Sequence, residues 1–204
     1  MDLSRPALRE PPPELRPDVP RSPTRSPLPL PGTGLPAAGF ELPFEMLSAC
    51  HDRVRRSLAL LGRLVEHVAA QGHDEASRSA ARDVLRYFDL AAPHHHEDEE
   101  RHVFPALLAR GDAALAADIA RLQADHLRMA ALWQALRPRL QAWAEATAPA
   151  PGDAPVRAAA DAFRAIYADH LELEDQRVFP AAHAAVDAAT QAAMGAEMAA
   201  RRRA

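Results

Sequence analysis

Four histidines and two glutamates recur in this chain with a spacing that could do chemistry. His95 and Glu99, and again His170 and Glu174, lie four residues apart. On a helix that spacing puts both side chains on one face, about 6 Å apart along the axis. His51 and His126 are single imidazoles on stripes of their own. A shift of 75 residues maps the set onto itself: His51 onto His126, His95 onto His170, Glu99 onto Glu174, Phe88 onto Phe163, and Val103-Phe104-Pro105 onto Val178-Phe179-Pro180. One helical hairpin has been used twice. Imidazole nitrogens with carboxylate oxygens make a donor set for a divalent or trivalent cation, suited to iron ahead of zinc, manganese or copper. Burying two ionised carboxylates is costly unless a positive charge compensates them. The chain has no Lys, and no Arg falls near these positions on the stripes. Two cations would supply the charge, with bridging oxygen or water completing the shell and a position left for an exogenous ligand.

The elements that must position these residues are helices. From Phe40 onward apolar residues recur at spacings of three and four, the amphipathic pattern. Four long segments are expected. The first, 41–70, carries Leu47, His51, Val54, Leu58, Leu61, Val65 and Val68, and stops at Gly72. The second, 74–104, carries Leu85, Phe88, Ala92, His95, Glu99 and Val103 and ends before Pro105. The third, 112–146, carries Ile119, Leu122, His126, Met129, Trp133 and Leu136. The fourth, 154–178, carries Phe163, Ile166, His170, Glu174 and Val178 and ends before Pro180. A shorter helix, 188–203, closes the chain. Pro93 and Pro138 fall inside these segments and predict kinks or a restart, since each removes a helical hydrogen bond.

Short loops between amphipathic helices imply an all-α, antiparallel, up-down-up-down four-helix bundle. With 1.5 Å of rise per residue, all four histidines then fall in one layer. The acidic run Glu97–Glu100 reads as a solvated face apart from Glu99, with Glu100 in reserve as a ligand. His94, His96 and His102 read as lying off the stripe, and Cys50 as a small buried thiol.

Composition bounds the rest. The chain of 204 residues is Ala-rich, with two Ile, no Asn and every non-His basic residue an Arg, which favours helix over strand. Residues 1–38 hold 11 of the 19 prolines and read as a disordered, partly polyproline-II tail. The bundle is placed at 39–186 and the C-terminal helix at 187–204. A net charge of -4, spread along the chain, argues against a nucleic-acid partner. No apolar stretch suggests a membrane span or a secretory signal. The single cysteine excludes a disulfide framework and thiolate metal sites and fits a reducing cytoplasm.

His51, the run from His95 through Glu99 to Val103-Phe104-Pro105, His126, and His170 through Glu174 to Phe179-Pro180 together resemble the hemerythrin-like, or HHE cation-binding, family. The resemblance covers residues 40–185. It implies a four-helix bundle around a non-haem centre of two iron ions with a bridging oxo or hydroxo group, which binds dioxygen or a related small molecule. It places ligand roles on His51, His95, Glu99, His126, His170 and Glu174, the two glutamates bridging. The oxygen carriers of that family take two histidines from the third helix, whereas here Leu122 and Ala130 flank His126. The carriers' spacing would also make the last carboxylate Asp175 in place of Glu174. One histidine fewer implies a more open iron, which favours sensing, oxidative stress or nitric oxide chemistry over oxygen storage, and binding over dedicated catalysis. The alternative is a metal-stabilised interaction bundle without ligand chemistry; no protein partner is specified. Paired Glu-x-x-His motifs fail because Arg177 stands at the repeat of His102, and His96-Glu97 lacks the second histidine of a zincin.

Overall fold

Aspartates open three of the helices in the computed structural model, which describes residues 39–146 and 154–203. Asp74 accepts from the backbone N–H of Ser77 while Ser77 Oγ accepts from the N–H of Asp74, a reciprocal cap that starts α2 (Glu75–Arg86). Asp112 caps α5 (Ala113–Glu145) and Asp187 caps α8 (Ala188–Arg201) in the same sense. Each satisfies N–H groups that the first turn leaves without an intrahelical acceptor. Pro43 opens α1 (Pro43–Gln71), and Gly72, at φ 76°, ends it. Every described element is helical. α1 packs on α2 and on α6 (Ala154–Leu173), and α5 packs on the same two, so the four close a ring around the core.

Prolines bend the expected boundaries. The second and fourth segments run on through Pro105 and Pro180. The second continues from α2 through α3 (Ala92–Asp98) into α4 (Phe104–Leu108), and the fourth from α6 into α7 (Phe179–Ala185). The joints are wide π turns at Tyr87–Ala91, Glu99–Val103 and Glu174–Val178. Each closes with an N–H bonded five residues back, Ala92 to Tyr87, Phe104 to Glu99 and Phe179 to Glu174, and in each case the next residue is a proline. A proline ring would collide with the carbonyl one α-turn behind it, and the wider turn carries that carbonyl away. The helix therefore continues where the sequence predicts a stop. Pro138 by contrast lies within an uninterrupted α5.

The core forms two apolar clusters. One holds Val54, Leu61, Phe88, Met129, Trp143 and Phe163; the other holds Leu47, Phe104, Leu107, Ile119, Leu122, Phe179 and Met198. α8 is fastened to α3 by an ion cluster that the sequence reading missed. Asp98 is fully buried, and its carboxylate accepts from Arg201 Nη2 at 2.8 Å and Arg202 Nη2 at 2.6 Å. The acidic run is thus not a solvated face at Asp98. No described helix is long and apolar enough to cross a membrane. The tail assigned to 1–38 and the loop with Pro149, Pro151 and Gly152 lie outside the described residues.

Gly195 of α8 faces the backbone carbonyl of Phe40 with no room for a Cβ, whereas a Cβ on Gly62 would meet only the flexible end of Arg164. Gly195→Ala is expected to destabilise by about 1–3 kcal/mol through overpacking. Gly62→Ala is expected to be neutral or to stabilise by up to about 1 kcal/mol through helix propensity. Paired thermal denaturation curves check the opposite signs.

Candidate metal centre

Each of the four ring helices, the second and fourth followed through their π turns, passes from one apolar cluster to the other near its histidine. On α1 the cluster changes between Leu47 and Val54, with His51 between; on α5 it changes between Leu122 and Met129, with His126 between. His95 and Glu99, and His170 and Glu174, occupy the same level on the other two rods. All six side chains are buried, a polar layer between two apolar ones.

Within that layer the imidazoles fall into two pairs. Glu99 Oε1 lies 3.0 Å from His95 Nε2 and 3.9 Å from His51 Nε2, and Glu99 Oε2 lies 3.4 Å from His126 Nε2. Glu174 mirrors it, with Oε2 at 3.3 Å from His51 Nε2 and Oε1 at 3.2 Å from His170 Nε2. Each glutamate thus turns one oxygen to the pair His51/His95 and the other to the pair His126/His170. The structure also locates Asp175, the alternative to Glu174. Its Oδ1 is 2.7 Å from His51 Nδ1, on the far side of the ring from the cluster.

The electrostatics show what the layer lacks. Both oxygens of Glu99, both of Glu174, His51 Nε2 and both nitrogens of His95 are enclosed without a hydrogen bond among the described residues. Buried polar atoms are ordinarily satisfied, so the carboxylate oxygens and the Nε2 atoms turned toward them mark a place for a cation. Protons substitute for it in the charge balance. Burial works to lower the His51 pKa, but Asp175, Glu174 and Glu99 outweigh it and push it up to about 11. His126 is likewise pushed up to about 9, against burial, by Glu99 and Glu100. Burial would raise Glu174, yet His170 and His51 hold it well below the usual carboxylate range. His95 goes the other way, held well below the ordinary imidazole range by burial and by His51. Two four-donor groups fit a metal: His51, His95, Glu99 and Glu174, and Glu99, His126, His170 and Glu174.

Several contributors were not singled out by spacing. His126 Nδ1 lies 2.9 Å from Glu100 Oε1, as His51 Nδ1 lies by Asp175, so Glu100 braces a histidine from behind instead of serving as a reserve ligand. Such carboxylates fix the tautomer and aim the other nitrogen at the site. Asp175 also pairs with Arg55 at 2.5 Å, and these two partners lower its pKa although burial opposes them. The phenylalanines of the two Phe-Pro motifs stack on the same histidines, Phe179 on His51 with centroids 4.9 Å apart and Phe104 on His126 at 5.8 Å. The signal was present, because Glu100 and Asp175, like Phe104 and Phe179, are related by the 75-residue shift. His96, expected off the stripe, stacks on His126 with centroids 4.1 Å apart. Cys50 is partly buried with its Sγ 3.6 Å from Met46 Sδ, and burial raises its thiol pKa.

Because the two carboxylates are enclosed with only imidazoles facing them, metal removal by a strong chelator is expected to lower the melting temperature markedly. Equal melting temperatures with and without metal would count against a cation here. His126→Ala should lose metal. His183→Ala, at an exposed residue edge-on to Phe44, should keep it. Asp175→Ala, which frees His51 to rotate, should weaken metal affinity by about 10- to 100-fold, read by competition with a chromogenic chelator.

Comparison with known proteins gives a relative and a family. An uncharacterized protein of Haemophilus influenzae is 34% identical over 104 residues, covering 51% of this chain and 60% of the relative, so the match spans less than two thirds of that protein. The family model for the hemerythrin HHE cation binding domain matches residues 42–182. That span runs from the start of α1 into α7 and contains all six clustered side chains as well as Glu100 and Asp175. With a buried His/Glu layer fit for a cation inside the matched region, the chain belongs to the hemerythrin HHE cation-binding domain family.

Proposed function

We propose that this chain is a non-haem di-iron protein that binds or senses dioxygen, or a related oxidant or nitric oxide, in the core of an antiparallel up-down-up-down four-helix bundle. The bundle spans residues 39–186, with 1–38 as an appended tail and 187–204 as a bracing C-terminal helix. The proposed setting is the cytoplasm, in keeping with a single cysteine. One observation carries the reading: Glu99 and Glu174 each divide their two oxygens between two pairs of imidazoles. Carboxylates shared in that way would let two adjacent cations each take two nitrogens and two oxygens.

The chain's own residues have distinct tasks in this reading. His51, His95, Glu99, His126, His170 and Glu174 hold the ions. Asp175 and Glu100 keep the Nε2 lone pairs of His51 and His126 turned inward. Phe179 and Phe104 cover those rings, and the two apolar clusters keep bulk water out. Bound iron would supply reversible electron exchange with a small ligand. Four protein donors per ion leave positions open, as a ligand-binding site requires and a closed structural site does not. The choice of iron over zinc or manganese rests on imidazole with carboxylate as donors.

Elemental analysis of protein purified without oxygen, paired with visible spectra before and after air is admitted, tests the reading. Two irons per chain and a new charge-transfer band in air are expected. Zinc with no spectral change would leave a metal-braced helical protein and end the sensing proposal.

A further inference from the structure

The 75-residue repeat is broken beside one pair of histidines. Where the second hairpin has Leu171, the first has His96; where the first has Cys50 and Ala92, the second has Asp125 and Tyr167. All three polar replacements lie on the side of His126 and His170. Asp125 Oδ2 is 3.9 Å from His170 Nδ1, and the Tyr167 ring centroid is 6.5 Å from that of His170. The His96 ring centroid is 6.1 Å from that of His170 and 6.0 Å from that of Tyr167. Leu171, the counterpart of His96 in the repeat, is 3% exposed and belongs to the apolar cluster. The two halves of the centre therefore differ in what surrounds them.

His96 has a donor atom near those of His126 and His170, but its orientation is wrong for a ligand to the same ion. Its ring is inclined by only 16° to that of His126, with centroids 4.1 Å apart. A ligating imidazole keeps the ion near its own plane, and two nearly parallel planes at that separation do not meet at one ion. The ring makes stacking contacts and takes no hydrogen bond among the described residues. It is also partly exposed where the six clustered side chains are buried. An imidazole keeps an N–H in either protonation state. His96 is thus a donor beside the centre without a hydrogen-bond partner among the described residues.

We propose that His96 is the residue that grips the exogenous ligand: its N–H donates a hydrogen bond to a small anion or diatomic molecule seated at the His126/His170 side of the centre. The inference rests on the di-iron reading above and adds to it which half of the site is open and which side chain selects the ligand. Donation from His96 favours ligands that present an acceptor lone pair or accumulate negative charge, over neutral apolar gases.

The test uses the iron-loaded full chain with azide as probe, read by titration of its visible charge-transfer band, together with iron content. His96→Leu, which copies Leu171, should keep two irons and weaken azide binding by about 10- to 100-fold, the loss of one hydrogen bond to a charged group. His96→Gln, which keeps a donor, should fall between the leucine variant and the parent, with two irons. Loss of an iron from His96→Leu would make His96 a ligand and overturn the proposal. So would azide binding equal to the parent, or a glutamine variant as weak as the leucine one. A parent protein that loads no iron would overturn the di-iron reading, and this inference with it.

Discussion

Glu99 and Glu174 lie fully buried with imidazoles as the groups that face them. That arrangement is the constraint the rest of the structure serves. A buried carboxylate is among the costliest things a fold can contain unless positive charge stands against it, and this fold buries two in one layer. The apolar clusters on both sides raise the cost further, since they exclude water that would otherwise solvate the oxygens. Stability and cation binding are therefore coupled: what fills the layer also holds the four helices together. A cation answers that need, because it neutralises the acids and takes the imidazole nitrogens as further donors.

The backbone bends to serve the same layer. Both glutamates are the first residues of π turns, and both turns run into a Phe-Pro pair. A regular α-helix over residues 95–104 would rotate Val103 and Phe104 away from the face that His95 defines. The longer turn keeps Glu99, Val103 and Phe104 inward together, all at 0% exposure. Proline fixes the turn in place, since the α-helical alternative would press its ring against a carbonyl. Phe179 and Phe104 then land on the histidines of the opposite hairpin, so a local backbone irregularity becomes a contact between helices far apart in sequence.

Much of this was legible in the sequence. Helical period, the His-x-x-x-Glu spacing and the internal repeat are local properties, and they located the six clustered residues and the long helices. The parts that were not legible depend on geometry that period does not encode. Helix continuation through Pro105 and Pro180 needs a non-α turn, which shifts phase and defeats a fixed 100° projection. The same shift explains His96: adjacent to His95, it projects off a regular stripe, yet the π turns flanking α3 leave both rings near the centre. Asp175 read as an alternative last carboxylate and Glu100 as a reserve ligand on a solvated face, because the histidines they brace, His51 and His126, lie on another helix. The repeat related them all along, but a relation between two acids does not say what they touch.

Asp98 and Glu99 are the sharpest comparison the molecule offers, for they are consecutive acids, both fully buried, and compensated in opposite ways. Asp98 takes Arg201 and Arg202 from α8, a permanent charge in fixed geometry. Arg202 also lies over the Phe40 ring, so this pairing ties the two ends of the described chain to α3. Glu99 takes only imidazoles, which can give up their protons. A chain whose non-histidine bases are all arginine had the means to neutralise both acids in the same way. It uses arginine where the need is adhesion between helices. Around Glu99 and Glu174 it uses imidazoles, whose ring nitrogens can carry either a proton or a metal ion. That division separates a structural clamp from a candidate metal site within one turn of one helix.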